Sequence, residues 1–126
     1  MAMMQTLAIA AGGAVGALGR FWVSSAVYGW LGRGFPWGTL VVNVAGSLAM
    51  GFLYVLLVDR MALSAEVRAA LTVGLLGAFT TFSTFSLETL NLIEGGEPLK
   101  AALNVAVSVL LCLLAAWAGV MLARQI

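Results

Sequence analysis

Five hydroxyls crowd into seven residues: Thr80, Thr81, Ser83, Thr84 and Ser86, with Phe82 and Phe85 set among them. A hydroxyl both donates and accepts a hydrogen bond. A phenylalanine ring carries a negative face and a positive edge. Groups of this kind can replace the water around a desolvated ion, and hydroxyl donors and ring edges suit a small anion. Gly74 and Gly77 stand just upstream, Gly77 opening the stretch GAFTTFSTFSLET (77–89). Glycine together with hydroxyl side chains tolerates a local break in a membrane helix, because the hydroxyls satisfy the freed backbone groups. An unwound turn exposes carbonyls that can hold a cation, and the adjoining helix end offers amides to an anion. Aromatic packing alone would also account for Phe82 and Phe85.

Further polar residues interrupt otherwise apolar runs. Arg20 lies inside the first such run, where it is either an interfacial anchor beside Trp22 or a cation lining a water-filled vestibule. A charged side chain at a helix centre costs roughly 2.5–3.5 kcal/mol on insertion scales, so it needs a cavity or a partner. Asn43 either ties two helices together or donates to an ion. Glu88 follows Phe79, Phe82 and Phe85 at intervals of three; it is a gate, a hydroxyl partner or a protonated donor. Asn104, Ser108 and Cys112 recur every four residues and make a thin polar stripe. There is no nucleophile–base pair, no carboxylate pair and no phosphate-binding glycine loop, so an enzyme is not expected. No histidine and a single cysteine exclude an internal disulfide and argue against a His/Cys zinc site.

The elements that must position these groups follow from composition. Of 126 residues, 63% are hydrophobic and 9% charged, and mean hydropathy is +1.09. A soluble domain carries about 25% charged residues, so the solvent here is lipid. A net charge of +1 without a basic cluster gives no reason to expect a nucleic acid partner. A spanning helix needs about 20 apolar residues. Four segments qualify, roughly 7–30, 37–58, 69–93 and 99–123, joined by short connections rich in turn and capping residues. The N-terminal stretch has no basic residue before its apolar run and reads as the start of the first span. The expectation is an all-α membrane protein, one domain over residues 1–126, with four transmembrane helices and the third broken near its middle.

Charge sets orientation only weakly. Arg60, Arg68 and Arg124 fall on one side, against Arg33 and Lys100 on the other. Either one topology prevails, or the chain inserts both ways and pairs as an antiparallel, dual-topology homodimer. Gly12 with Gly16, and Ser47 with Gly51, have the spacing that lets membrane helices approach closely.

Three stretches, GGAVGALGRFW (12–22), PWGTLVVNVAGS (36–47) and GAFTTFSTFSLET (77–89), resemble the Fluc/CrcB family of fluoride channels, and the similarity extends over all four spans. The resemblance implies an antiparallel homodimer of four-helix subunits with two fluoride pathways. It implies passive export of fluoride that enters an acid-stressed cell as HF, hence fluoride resistance, in the inner membrane of a bacterium or archaeon. On that pattern Phe82 and Phe85 form an aromatic box and Asn43 donates to fluoride. Ser83, Thr84, Asn104 and Ser108 are further pathway positions. Arg20 sits by a vestibule, while Thr39 and Glu88 are pathway or gate positions. Gly77 and Thr80 offer main-chain carbonyls to a structural sodium ion at the dimer interface. Cys112 departs from the pattern by replacing a hydroxyl. The alternative is a small multidrug-resistance transporter coupled to protons through a carboxylate in its first span. The first acidic residue here is Asp59, which argues against it. A purely structural subunit is a third reading, opposed by the polar density of 80–86.

Overall fold

The computed structural model describes residues 2–60 and 63–126, so the middle of the second connection lies outside the described residues, as does Met1. Among the described residues, four helices are long and apolar enough to cross a membrane: Ala2–Leu31, Trp37–Asp59, Ala65–Glu94 and Pro98–Gln125. They are the first to fourth spans below. The described residues make a multi-pass, all-helical membrane protein, and the spans extend the ranges expected from hydropathy by one to six residues.

Local chemistry sets the ends. Gly32 and Gly96 terminate their helices at φ 79° and 80°, a region that other residues rarely enter. Pro98 opens the fourth span, where its missing N–H costs nothing. Ser64 caps the third by accepting from the Val67 N–H at 3.3 Å.

The second and fourth spans pack along their lengths, and the first packs on the N-terminal half of the third. Small residues make both approaches feasible. A Cβ added at Gly12 or Gly16 would strike the carbonyl oxygens of Ala70 and Leu75 on the third span. One added at Gly51 or Gly119 would strike those of Ala116 and Leu48 across the second–fourth contact. Lipid is as apolar as leucine, so such backbone contact, rather than hydrophobic burial, holds the spans together. Ser47, paired by spacing with Gly51, lines a cavity.

The third span changes geometry along its length. Residues Ala70–Leu76 form widened π turns, Gly77–Phe79 return to α geometry, and helix resumes over Phe82–Glu94. Between them Thr80 (φ −91°, ψ 157°) and Thr81 (φ −152°, ψ 116°) are extended.

Candidate functional site

The extended pair is held by its neighbours. The Thr81 N–H, which a continuous helix would give to the Gly77 carbonyl, donates to Asn43 Oδ1 at 2.8 Å. Asn43 Nδ2 returns a bond to the Thr81 carbonyl at 3.0 Å. The Asn43 amide thus has its orientation set by the main chain, and one of its two N–H groups remains beyond this pair. The Thr84 N–H goes to Thr81 Oγ1 at 3.2 Å, and the Thr81 hydroxyl donates to Thr84 Oγ1 at 3.0 Å. Ser83 Oγ lies 3.2 Å from Thr81 Oγ1; with the Thr81 proton committed to Thr84, Ser83 is the donor. The carbonyls of Gly77 and Thr80 therefore both lose their ordinary helical donors. The Ala78 carbonyl gains a different one, Arg20 Nε at 2.9 Å.

Two cavities meet at Thr81. The first, about 320 Å³, is mainly apolar and open on one side. It is lined by Asn43, Gly46, Ser47, Met50, Thr80, Thr81, Phe82, Phe85, Ser108, Val109 and Cys112. Its two rings stand 5.3 Å apart, tilted by 41°. Phe85 is buried at 9% exposure, whereas Phe82 is 76% exposed, so the two rings differ sharply in cover. The N-terminus of the Phe82–Glu94 helix starts at this cavity. Its positive dipole end favours an anion there.

The second cavity, about 210 Å³, holds the charges. Arg20, Tyr28, Arg33, Thr39, Thr81, Thr84 and Glu88 are among its lining residues. The Tyr28 hydroxyl donates to Glu88 Oε2 at 2.7 Å and lies 3.3 Å from Thr39 Oγ1. The Arg33 guanidinium rests over the Tyr28 ring, 4.4 Å from its centroid.

The sequence-predicted residues thus divide. Asn43, Thr80, Phe82, Phe85 and Ser108 share the aromatic cavity, as does Cys112. Arg20, Thr39, Thr84 and Glu88 share the charged one. Ser83, Gly77 and Asn104 line neither cavity. Asn104 is buried at 2% exposure and works as a relay. It accepts from Ser108 Oγ at 3.1 Å and donates to Thr89 Oγ1 at 2.9 Å, and Thr89 in turn donates to the Phe85 carbonyl at 2.7 Å.

Tyr28 and Thr89 were not singled out from the sequence. Tyr28 had a signal, since Arg20, Ser24 and Tyr28 recur every four residues on one face of the first span. Thr89 had none beyond its type. Among the described residues no cluster of His, Cys, Asp or Glu could hold a metal. The released Gly77 and Thr80 carbonyls are oxygen atoms outside that set.

Known proteins match this chain over nearly its whole length. A family model described as CrcB-like protein, Camphor Resistance (CrcB), matches residues 7–120. A protein of Methylococcus capsulatus named fluoride-specific ion channel FluC is 64% identical over 123 residues, covering 98% of this chain and 54% of that protein. This chain therefore spans about half the length of that relative. Proteins of the same name from Hydrogenovibrio crunogenus and Magnetococcus marinus are 52% and 54% identical over 123 residues, covering 98% of this chain and 93% and 100% of theirs. With the three motifs lying in the matched region and the polar groups gathered around Thr81, the chain belongs to the CrcB-like family, as its resemblance to Fluc/CrcB channels led one to expect.

Proposed function

We propose that this chain is a subunit of a fluoride-selective channel that lets cytoplasmic fluoride leave passively and so confers fluoride resistance. The observation that carries the reading is the aromatic cavity. There Asn43, with one amide N–H outside its pair with Thr81, the Ser108 side chain, a helix N-terminus and two phenylalanine rings gather around a space of about 320 Å³. The relatives' printed name, fluoride-specific ion channel, agrees with it.

Fluoride is small, hard and strongly hydrated, so a narrow path must replace its water contacts with short, strong ones. Asn43 supplies a donor whose direction is set by its pair with Thr81. Ser108 spends its proton on Asn104 in the structure. Rotation of that hydroxyl exchanges one acceptor for another, so it can follow a passing anion at little cost. Phe82 and Phe85 contribute ring edges. Larger halides gain less from such contacts and need more room. The chemistry is transport, with no bond made or broken.

The working unit in this reading is an antiparallel homodimer with two pores. Its support is the open side of the aromatic cavity, the near-balanced charge of the two faces, and the exposure of Phe82. A second copy would close what one chain leaves open. The third span acts as a broken helix at Thr80–Thr81. The released carbonyls of Gly77 and Thr80 suit a hard cation, and we assign them to a structural sodium ion between subunits. The membrane is the cell membrane of a bacterium or archaeon.

Purified protein in liposomes should pass fluoride quickly and chloride hardly at all; comparable chloride flux sinks the assignment. Adding two lysines at one end of the chain tests the pairing. Each orientation-biased variant should be inactive alone and recover when mixed with its opposite. One biased variant that conducts alone removes the antiparallel dimer.

A further inference from the structure

Beyond the aromatic cavity, the structure joins Tyr28 to Glu88 at the boundary between two polar spaces. The charged cavity described above lies on the inner side, with Arg20, Thr39 and Thr84. A second space of about 200 Å³ is lined by Tyr28, Arg33, Pro36, Glu88, Asn91 and Leu92, near the ends of the first and third spans and the start of the second. Tyr28, Arg33 and Glu88 line both. The hydrogen bond from Tyr28 to Glu88 therefore lies in the wall that the two spaces share.

The geometry of that bond is over-determined. The Tyr28 ring lies against Gly38, where an added Cβ would come within 2.5 Å of ring atom Cε2. Arg33 covers the ring. The Tyr28 oxygen also accepts from the Thr39 N–H at 3.4 Å. With the ring held this way, the hydroxyl has one strong acceptor, Glu88 Oε2 at 2.7 Å. The other carboxyl oxygen, Oε1, is buried and makes no hydrogen bond to the described residues. One oxygen of Glu88 thus has a hydrogen-bond partner and the other has none among the described residues. A buried oxygen without a partner is costly. Freed of Tyr28, the carboxylate would turn toward other donors lining the same cavity, among them Arg20 and Thr84. There it would compete with an anion for those donors.

We propose that Tyr28 is a positioning residue that holds the Glu88 carboxylate at the edge of the anion route and off the donors of the charged cavity. The proposal rests on the fluoride-channel reading and adds what Glu88 needs if it is to stand beside an anion path. Tyr28 acts through Glu88, and Arg33 and Gly38 act by seating Tyr28.

The test is fluoride efflux from liposomes for wild type, Tyr28→Phe, Glu88→Gln and the double variant. Tyr28→Phe keeps the ring and loses the hydroxyl, both its bond to Glu88 and its weaker contacts with Thr39. It should lower flux on the order of tenfold, the scale of a hydrogen bond to a charged group. The double variant should match Glu88→Gln, because a neutral amide no longer has to be held away from the donors. An equal fractional loss in both backgrounds, or unchanged flux in Tyr28→Phe, overturns the proposal. Infrared difference spectra supply a readout independent of transport. The carboxylate band that disappears in Glu88→Gln should shift in Tyr28→Phe, and a band that stays in place overturns the proposal whatever the flux. A wild type that passes no fluoride overturns the channel reading first and this proposal with it. Conducting wild type with an unaffected Tyr28→Phe overturns this proposal alone.

Discussion

The aromatic and charged cavities share Thr81 as a wall and differ in nearly everything else. Around the aromatic one, polar atoms are few and tied to the main chain or to one another: Asn43 to Thr81, Ser108 to Asn104. Around the charged one, full charges of both signs gather, with Arg20 bonded to the Ala78 carbonyl and Glu88 to Tyr28. The first arrangement offers weak, directional contacts in an apolar setting, where each counts for more. The second offers long-range attraction and repulsion, which salt weakens. On the proposed channel reading a strongly hydrated anion would use both in series, charge to gather it and neutral donors to strip its water, since a fully charged narrow site would hold it too tightly to release.

The contrast can be broken at its wall. Asn43→Ala leaves the Thr81 N–H and carbonyl without side-chain partners, an orphaning that costs about 1–3 kcal/mol, and fluoride flux should fall roughly tenfold to a hundredfold. Normal throughput in reconstituted liposomes would return Asn43 to a mere helix tie. On the aromatic side, Phe85→Ile should cost about tenfold, in line with about 0.5–1.5 kcal/mol for an aromatic pair. Phe82→Ile should cost a similar amount, because in the proposed dimer the second copy covers the ring that one chain leaves exposed. Both variants should keep their wild-type elution on gel filtration, and unchanged flux in both would remove the rings from the pathway. On the charged side, Arg20→Gln should lower flux by about threefold at low salt and by less as ionic strength rises. A deficit that ignores salt would make Arg20 a structural tie to Ala78 instead. The smallest effect is expected from Cys112→Ser, which restores a hydroxyl at the cavity wall and should change flux within about twofold, a difference of a few tenths of a kcal/mol; a large change would give Cys112 a role that its place at the wall does not suggest.

How legible these features were depends on the kind of interaction. Helix number and approximate bounds follow from one-dimensional apolar length, and the spans at Trp37 and Pro98 begin within a residue of expectation. The Gly12 and Gly16 contact was readable because backbone approach requires a missing side chain, whatever the partner. The Ser47 and Gly51 spacing likewise pointed to the second–fourth contact, which Gly51 makes, while Ser47 also lines a cavity. Tyr28 was overlooked because a tyrosine near a helix end usually marks the interface, and only its meeting with Glu88, sixty residues away, gives the hydroxyl a purpose.

What the sequence determined by itself is the solvent, the number of spans, the family and the stretch at 77–89 where polar groups collect. Composition and periodicity suffice for these because lipid rejects unpaired polar groups wherever they lie in the fold. Only the tertiary structure decided that the predicted pathway residues separate into two chambers, that Asn43 sets the geometry of Thr81, and that Asn104 serves Ser108 rather than a cavity. Those are choices of hydrogen-bond partner between distant segments. A hydroxyl or amide has several acceptors within its chemical reach, and packing alone settles which one is near enough to bind.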